Sequence, residues 1–185
     1  LTTTATVVGL TRRKSGAAQT IRLDTLDDDG ELVCRTYQLG IKRGVDIIGE
    51  PIVQEECPDL PAPNGGAQSQ FEIPISKQAA HVYTECARIW NPVHTDREVA
   101  LAAGLPDIIL HGTATMALAV SQIVDHLLDG DPTRVTRLGG RFTAMVLMPS
   151  TIRLEVHANS DGAIGYSVFT DDGQCAISHG FVCFR

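Results

Sequence analysis

The 185-residue chain is 43% apolar and 20% charged, the balance of an ordinary globular protein and not of a disordered one. Its net charge of −7 argues against nucleic-acid binding. The run Arg12-Arg13-Lys14 is too short for a phosphate track and reads as a solvated turn, although a local patch such as Arg134 and Arg137 could still receive the phosphates of a coenzyme. The five cysteines (34, 57, 86, 175, 183) are odd in number and show no CxxC spacing, which reads as reduced thiols in a cytoplasmic setting. No signal peptide is visible. The longest apolar helix candidate, 112–128, carries Asp125 and His126 and so reads as a core helix and not a membrane span. The chain starts at Leu1, inside a strand-like run, which suggests a processed or truncated piece.

In chain order, residues 1–48 read as antiparallel hairpins: TTTATVVGL, a turn at Lys14-Ser15-Gly16, AQTIRLDTL, a tight turn at Asp28-Asp29-Gly30, then ELVCRTYQLGIKR. Residues 49–70 mix Pro, Gly and acidic residues without a period and read as a connector. Residues 71–185 read as a self-contained unit. A strand at 71–75 leads to a helical or extended stretch around 81–88, then to the turn Asn91-Pro92-Val93-His94. Thr95 or Asp96 can N-cap a short helix at 97–103, which Gly104 and Pro106 end. The first half of 112–128 is apolar nearly all round, with one wet stripe at Gln122, Asp125, His126 and Asp129, so a sheet has to wrap it. GRFTAMVLM, TIRLEVH, AIGYSVF and CAISHGFVCF supply that sheet, and TIRLEVH alternates with a clean period of two. There is also an internal echo. A Gly-Ala turn followed by a DDG turn occurs at 16–30 and again at 162–173.

Chemistry concentrates in 81–118. His94 sits at the tip of a Pro-bounded turn and is a candidate general acid/base. His111-Gly112 follows and opens the long helix, where a backbone N–H and the helix N-terminus can face a developing oxyanion. In this order the two elements suggest chemistry on a thioester or similar carbonyl.

NPVHTD followed by AGLPDIILHG resembles the MaoC-like (R)-specific enoyl-CoA hydratases and dehydratases. That resemblance implies a hot-dog fold, an α+β architecture in which an antiparallel sheet wraps one long central helix. Many relatives carry two such units, so it also implies a double hot-dog with residues 1–48 as the closing strands of a preceding unit. The activity implied is reversible hydration of trans-2-enoyl-CoA to 3-hydroxyacyl-CoA. No metal or redox cofactor is implied, coenzyme A belongs to the substrate, and the partner expected is a second copy of the chain. His94 matches the family histidine, Asn91 and Pro92 match its neighbours, and Gly112 matches the glycine whose N–H points at the thioester oxygen.

The family aspartate has no counterpart, because its position falls on Ile89, or on Arg88 if one extra residue is allowed. Glu85 is the first substitute to consider; Asp96, two residues past His94, reads better as a helix cap. Each site residue also has a plainer reading. His94 alone is a surface turn histidine, His111 a packing residue beside the site, and Gly112 a simple helix start. Tyr83 reaches the substrate or only packs, and Trp90 packs in the core or at a dimer contact. Ser121 is a weak site residue and Arg141 flanks the sheet more readily than it binds phosphate. A His94/Asp96/His111 metal site matches no standard ligand spacing. Two other functions compete with hydration. One is a non-catalytic acyl-CoA-binding or supporting subunit; the other is a hot-dog thioesterase, which would need a carboxylate from the long helix.

Overall fold

In the computed structural model, which describes residues 1–59, 66–160 and 162–185, the chain divides into two units, Leu1–Asp59 and Leu60–Arg185. In the first, strands β1 (Thr2–Arg13), β2 (Gly16–Leu26), β3 (Leu32–Arg43) and a short β4 (Ile52–Val53) form an antiparallel sheet in the order β3-β2-β1-β4. Turn chemistry sets the register. Arg13 pairs with Gly16 across Lys14-Ser15, and Gly16 is held at φ 138°, where a Cβ would stand 2.1 Å from the Lys42 carbonyl oxygen. The β2–β3 turn is fastened by the Asp27 carboxylate, which accepts from the backbone N–H groups of Asp29 and Glu31.

This unit runs past residue 48, where the sequence reading ended it. Ile52 and Val53 pair with Leu10 and Gly9, and the Glu55 carboxylate accepts from the Arg22 guanidinium and the Tyr37 hydroxyl. The first part of the expected connector is therefore sheet, and residues 60–65 lie outside the described residues.

In the second unit, β5 (Ser69–Ile75), β6 (Val135–Phe142), β7 (Ser150–Ser160), β8 (Ala163–Phe169) and β9 (Cys175–Phe184) form an antiparallel sheet in the order β5-β7-β8-β9-β6. The helices are α1 (Ala79–Ala87), α2 (Arg97–Ala102) and α3 (Gly112–Leu127). The period-two pattern decides which face packs. Ile152, Leu154 and Val156 of β7, with Ile164, Tyr166 and Val168 of β8, join Ala119, Ile123 and Val124 of α3 in one core. An antiparallel sheet thus wraps one long helix, the hot-dog arrangement.

The apolar first half of α3 is not enclosed all round: the buried residues of the helix are Ala114, Thr115, Ala119, Ile123 and Val124, while Thr113, Ala117, Ser121 and Asp125 form an exposed row four residues apart along it. One sheet covers one side of a helix, and small side chains cost little to leave in water. The run GRFTAMVLM is not one strand, since β6 begins at Val135 and ends at Phe142. Residues beyond it turn back along the segment before α3, where Leu110 N–H donates to the Val146 carbonyl at 2.8 Å and Ile109 bridges Leu147. The apolar character of 144–146 belongs to a pocket wall.

Candidate active site

The stretch around 81–88, left open between helix and strand, is helix α1; it ends at Arg88 in the left-handed conformation, φ 55°. Buried Thr84 and half-buried Tyr83 face inward from it. The chain then enters a 3-10 turn, Pro92–His94, capped by Asn91, whose side-chain oxygen accepts from Val93 N–H at 3.4 Å. Pro92 at the first position of that turn costs no hydrogen bond and presets its φ. The turn delivers His94, and Asp96 then caps α2 by accepting from the N–H groups of Glu98 and Val99.

His94 Nδ1–H donates to the Ile109 carbonyl at 2.8 Å. A carbonyl can only accept, so this bond fixes the tautomer and leaves Nε2 bare, as a base requires. Beneath it the ring of His111 stacks on that of His94, with centroids 3.7 Å apart and planes at 23°. His111 is 2% exposed, hydrogen-bonds Thr84 Oγ1 through Nε2 at 3.3 Å, and meets the tilted ring of Tyr83 at 5.0 Å. Burial pushes the His111 pKa down, and the charge of a protonated His94 adds to this. The backbone of Ile89 pulls the other way without prevailing, and Nδ1 has no hydrogen-bond partner of good geometry among the described residues. Its surroundings therefore disfavour the charged form of His111.

His94 and Gly112 line the same cavity, of about 200 Å3. Its remaining wall is apolar for the most part: Ile109, Leu110, Phe142, Met145 and Val146 contribute, and Thr115 supplies the one hydroxyl. Among the described residues, no carboxylate lines it. Gly112 begins the 16-residue α3, whose N-cap, His111, offers no side-chain acceptor, so the first N–H groups and the positive end of the helix dipole are not capped by a side chain. A Cβ at Gly112 would stand 3.0 Å from the Phe142 ring, so glycine lets the aromatic wall close against the helix start. The arrangement can hold a planar acyl group between a base and a helix N-terminus in a mostly apolar site.

Of the six residues singled out for the site, the cavity brings together His94 and Gly112 only. His111 and Tyr83 form the layer behind His94 and do not reach the cavity; His111 is covered by the ring in front of it. Asn91 shapes the turn from an exposed position. Glu85 is exposed on α1 and makes no hydrogen bond or ion pair to His94; it follows Thr84, and a step of about 100° along the helix turns it away from the buried side. Trp90, read as a core or contact residue, is 65% exposed on this chain. Ser121 and Arg141 are exposed and do not line the cavity. Asp96 is occupied by its cap, and among the described residues no group of three or more His, Cys, Asp or Glu is arranged to hold a metal ion. Sequence reasoning missed Thr84, Phe142 and Met145. A threonine inside a helix and apolar residues after a strand give no local signal of a site.

Residues 61–170 match the family model described as MaoC like domain. Enoyl-CoA hydratase ChsH3 of Mycobacterium tuberculosis is 38% identical over 117 residues, covering 63% of this chain and 37% of that protein. Peroxisomal multifunctional enzyme type 2 of Drosophila melanogaster is 26% identical over 185 residues, covering 98% of this chain and 31% of that protein. The chain thus spans roughly a third of the length of these two relatives. Among solved structures, a MaoC-like dehydratase from Phytophthora capsici superposes with a TM-score of 0.89 at 20% identity, covering 99% of this chain and 64% of that one.

Proposed function

The chain belongs to the MaoC-like domain family, and from that membership we propose that it catalyses reversible hydration of trans-2-enoyl-CoA thioesters to 3-hydroxyacyl-CoA. One observation carries the proposal: a histidine with a fixed tautomer and an uncapped helix N-terminus face one apolar cavity. The thioester oxygen sits at Gly112, where the N–H and the helix dipole stabilise the negative charge that develops on it. His94 Nε2 takes a proton from water as the oxygen attacks C3, and the imidazolium returns that proton to C2. Water is thereby added across the double bond with no net change at the enzyme. The reading asks for no metal or redox group, and coenzyme A enters as part of the substrate. A homodimer in a cytoplasmic setting completes it; Cys34, Cys86, Cys175 and Cys183 carry free thiols.

With no carboxylate among the described residues of the cavity, one imidazole holds the water and moves both protons in this reading. The parent should therefore be a slow hydratase, short by roughly two orders of magnitude of one with an acid/base pair. The test is crotonyl-CoA hydration by the parent and three variants. His94→Ala should lower the rate by a factor on the order of 10² or more. Glu85→Gln should leave it unchanged. Ile89→Asp, at the position of the family carboxylate and with its backbone against His111, should raise it. A collapse in Glu85→Gln would reinstate that residue as the base.

The bare cavity wall also favours a second reading, a unit that binds acyl-CoA without turning it over; a parent that binds crotonyl-CoA and matches His94→Ala in rate selects it. The thioesterase alternative finds less support, because the part of α3 that lines the cavity is Gly112 and Thr115, with no carboxylate.

A further inference from the structure

We infer that His111 is a positioning residue, a neutral aromatic platform on which the His94 ring is held flat and on which its protonated form rests during turnover. The inference rests on the hydratase reading for its kinetic arm but on geometry for its substance. The two rings stack at 3.7 Å and 23°, closer and flatter than packing of unrelated side chains requires. His111 is fixed from behind by Thr84 Oγ1 and the Tyr83 ring, and it is buried, so it cannot meet substrate itself. His94 is fixed at its edge by the Ile109 carbonyl. Edge and face together fix the plane and rotation of the His94 ring, which lines the cavity. When His94 takes the water's proton, the positive ring lies over the π face of a neutral neighbour, an attraction that grows where water is excluded.

The other titratable groups nearby are placed elsewhere. His81 on α1 is bonded to the Thr95 carbonyl, Glu85 and Cys86 on the same helix are exposed, Asp96 caps α2, and Asp107 faces Arg97 at 3.5 Å. The cavity wall packed on the other side carries no titratable side chain besides His94. His111 is therefore the group that supports the imidazolium.

The experiment compares the parent with His111→Phe, which keeps a flat π face, and His111→Leu, which keeps apolar volume without one. Ring-nitrogen NMR of the full chain from pH 5 to 8 should show His111 taking up a proton only at lower pH than an ordinary histidine, and His94 as a single Nδ1–H tautomer when uncharged. His111→Phe should keep that tautomer and hold kcat within about threefold, whereas His111→Leu should mix the tautomers and lose about tenfold in kcat with a smaller change in KM. Equal behaviour of Phe and Leu, or an imidazolium at His111 while His94 is neutral, overturns the inference. A parent without hydratase activity sinks the hydratase reading alone, since the tautomer comparison still decides the pair. If neither variant folds, Thr84→Val, which releases His111 at the rear, should mix the His94 tautomers, and a single tautomer there counts against the platform.

Discussion

At the level of single residues, the site turns on two imidazoles held ring against ring, one on the cavity wall and one buried behind it. His94 was marked by its Asn-Pro frame, and Asp96 by its place before a helical run, because both roles depend on backbone conformation a few residues away. The partnership of His94 with His111 spans 17 positions and is made by stacking, which leaves no trace in sequence. That partnership predicts a pH dependence of stability. Unfolded, His111 titrates near the ordinary histidine value; folded, burial holds its pKa below that. As pH falls through about 6.5, the unfolded chain takes up a proton that the folded chain refuses, so stability declines toward acid and is intact above that value. The contribution is at most about 1.4 kcal/mol per pH unit. Urea unfolding between pH 5 and 7.5 should show a steeper loss for the parent than for His111→Leu, and parallel curves would mean that His111 titrates in the folded protein as it does in the unfolded one.

At the level of elements, the strands with clean alternation and the helix with a strong cap were legible, and those shaped by contact were not. TIRLEVH falls within β7 because burial of every second residue is written in its pattern. The sequence reading began this strand at Gly140 and missed residues 135–139, because a pair of adjacent glycines looks unlike a strand interior. Contact is tight at Gly140, where a Cβ would stand 3.0 Å from the Ile177 side chain. The same constraint acts more strongly at Gly180 of β9, where a Cβ would lie 2.5 Å from the fully buried ring of Tyr166. Gly180→Ala should cost about 1–3 kcal/mol through forced repacking, read as a lower denaturant midpoint with an unchanged m-value. Asp96→Ala should cost about 1 kcal/mol through the lost cap of α2. The two losses should add, because one lies in the sheet core and the other in a surface helix.

At the scale of the whole molecule, the internal echo has a structural counterpart. β1-β2-β3 and β7-β8-β9 are both antiparallel meanders, and each middle strand is entered through a glycine at positive φ, Gly16 and Gly162, that sits against the backbone of the third strand. The difference between the two units is the helix. The second unit buries one face of its meander on α3, whereas the first has no helix, and along β3 it exposes Leu32, Val33, Leu39 and Ile41. β3 is also an edge strand of 12 residues, with a row of backbone groups unpaired on its outer side. A long apolar edge of this kind is a template for association, and charges or proline usually blunt it. Here Arg35, Lys42 and Arg43 supply charge near the ends, and the middle of the strand carries none. The chain should therefore sediment as a dimer or larger species at micromolar concentration. Leu39 and Ile41 point to one face of β3, 52% and 45% exposed, so replacing both with lysine should shift the protein toward monomer while leaving the circular dichroism of the sheet in place. A parent that is already monomeric at that concentration, with residues 1–59 protected from proteolysis, would show instead that this face is stable in water on its own.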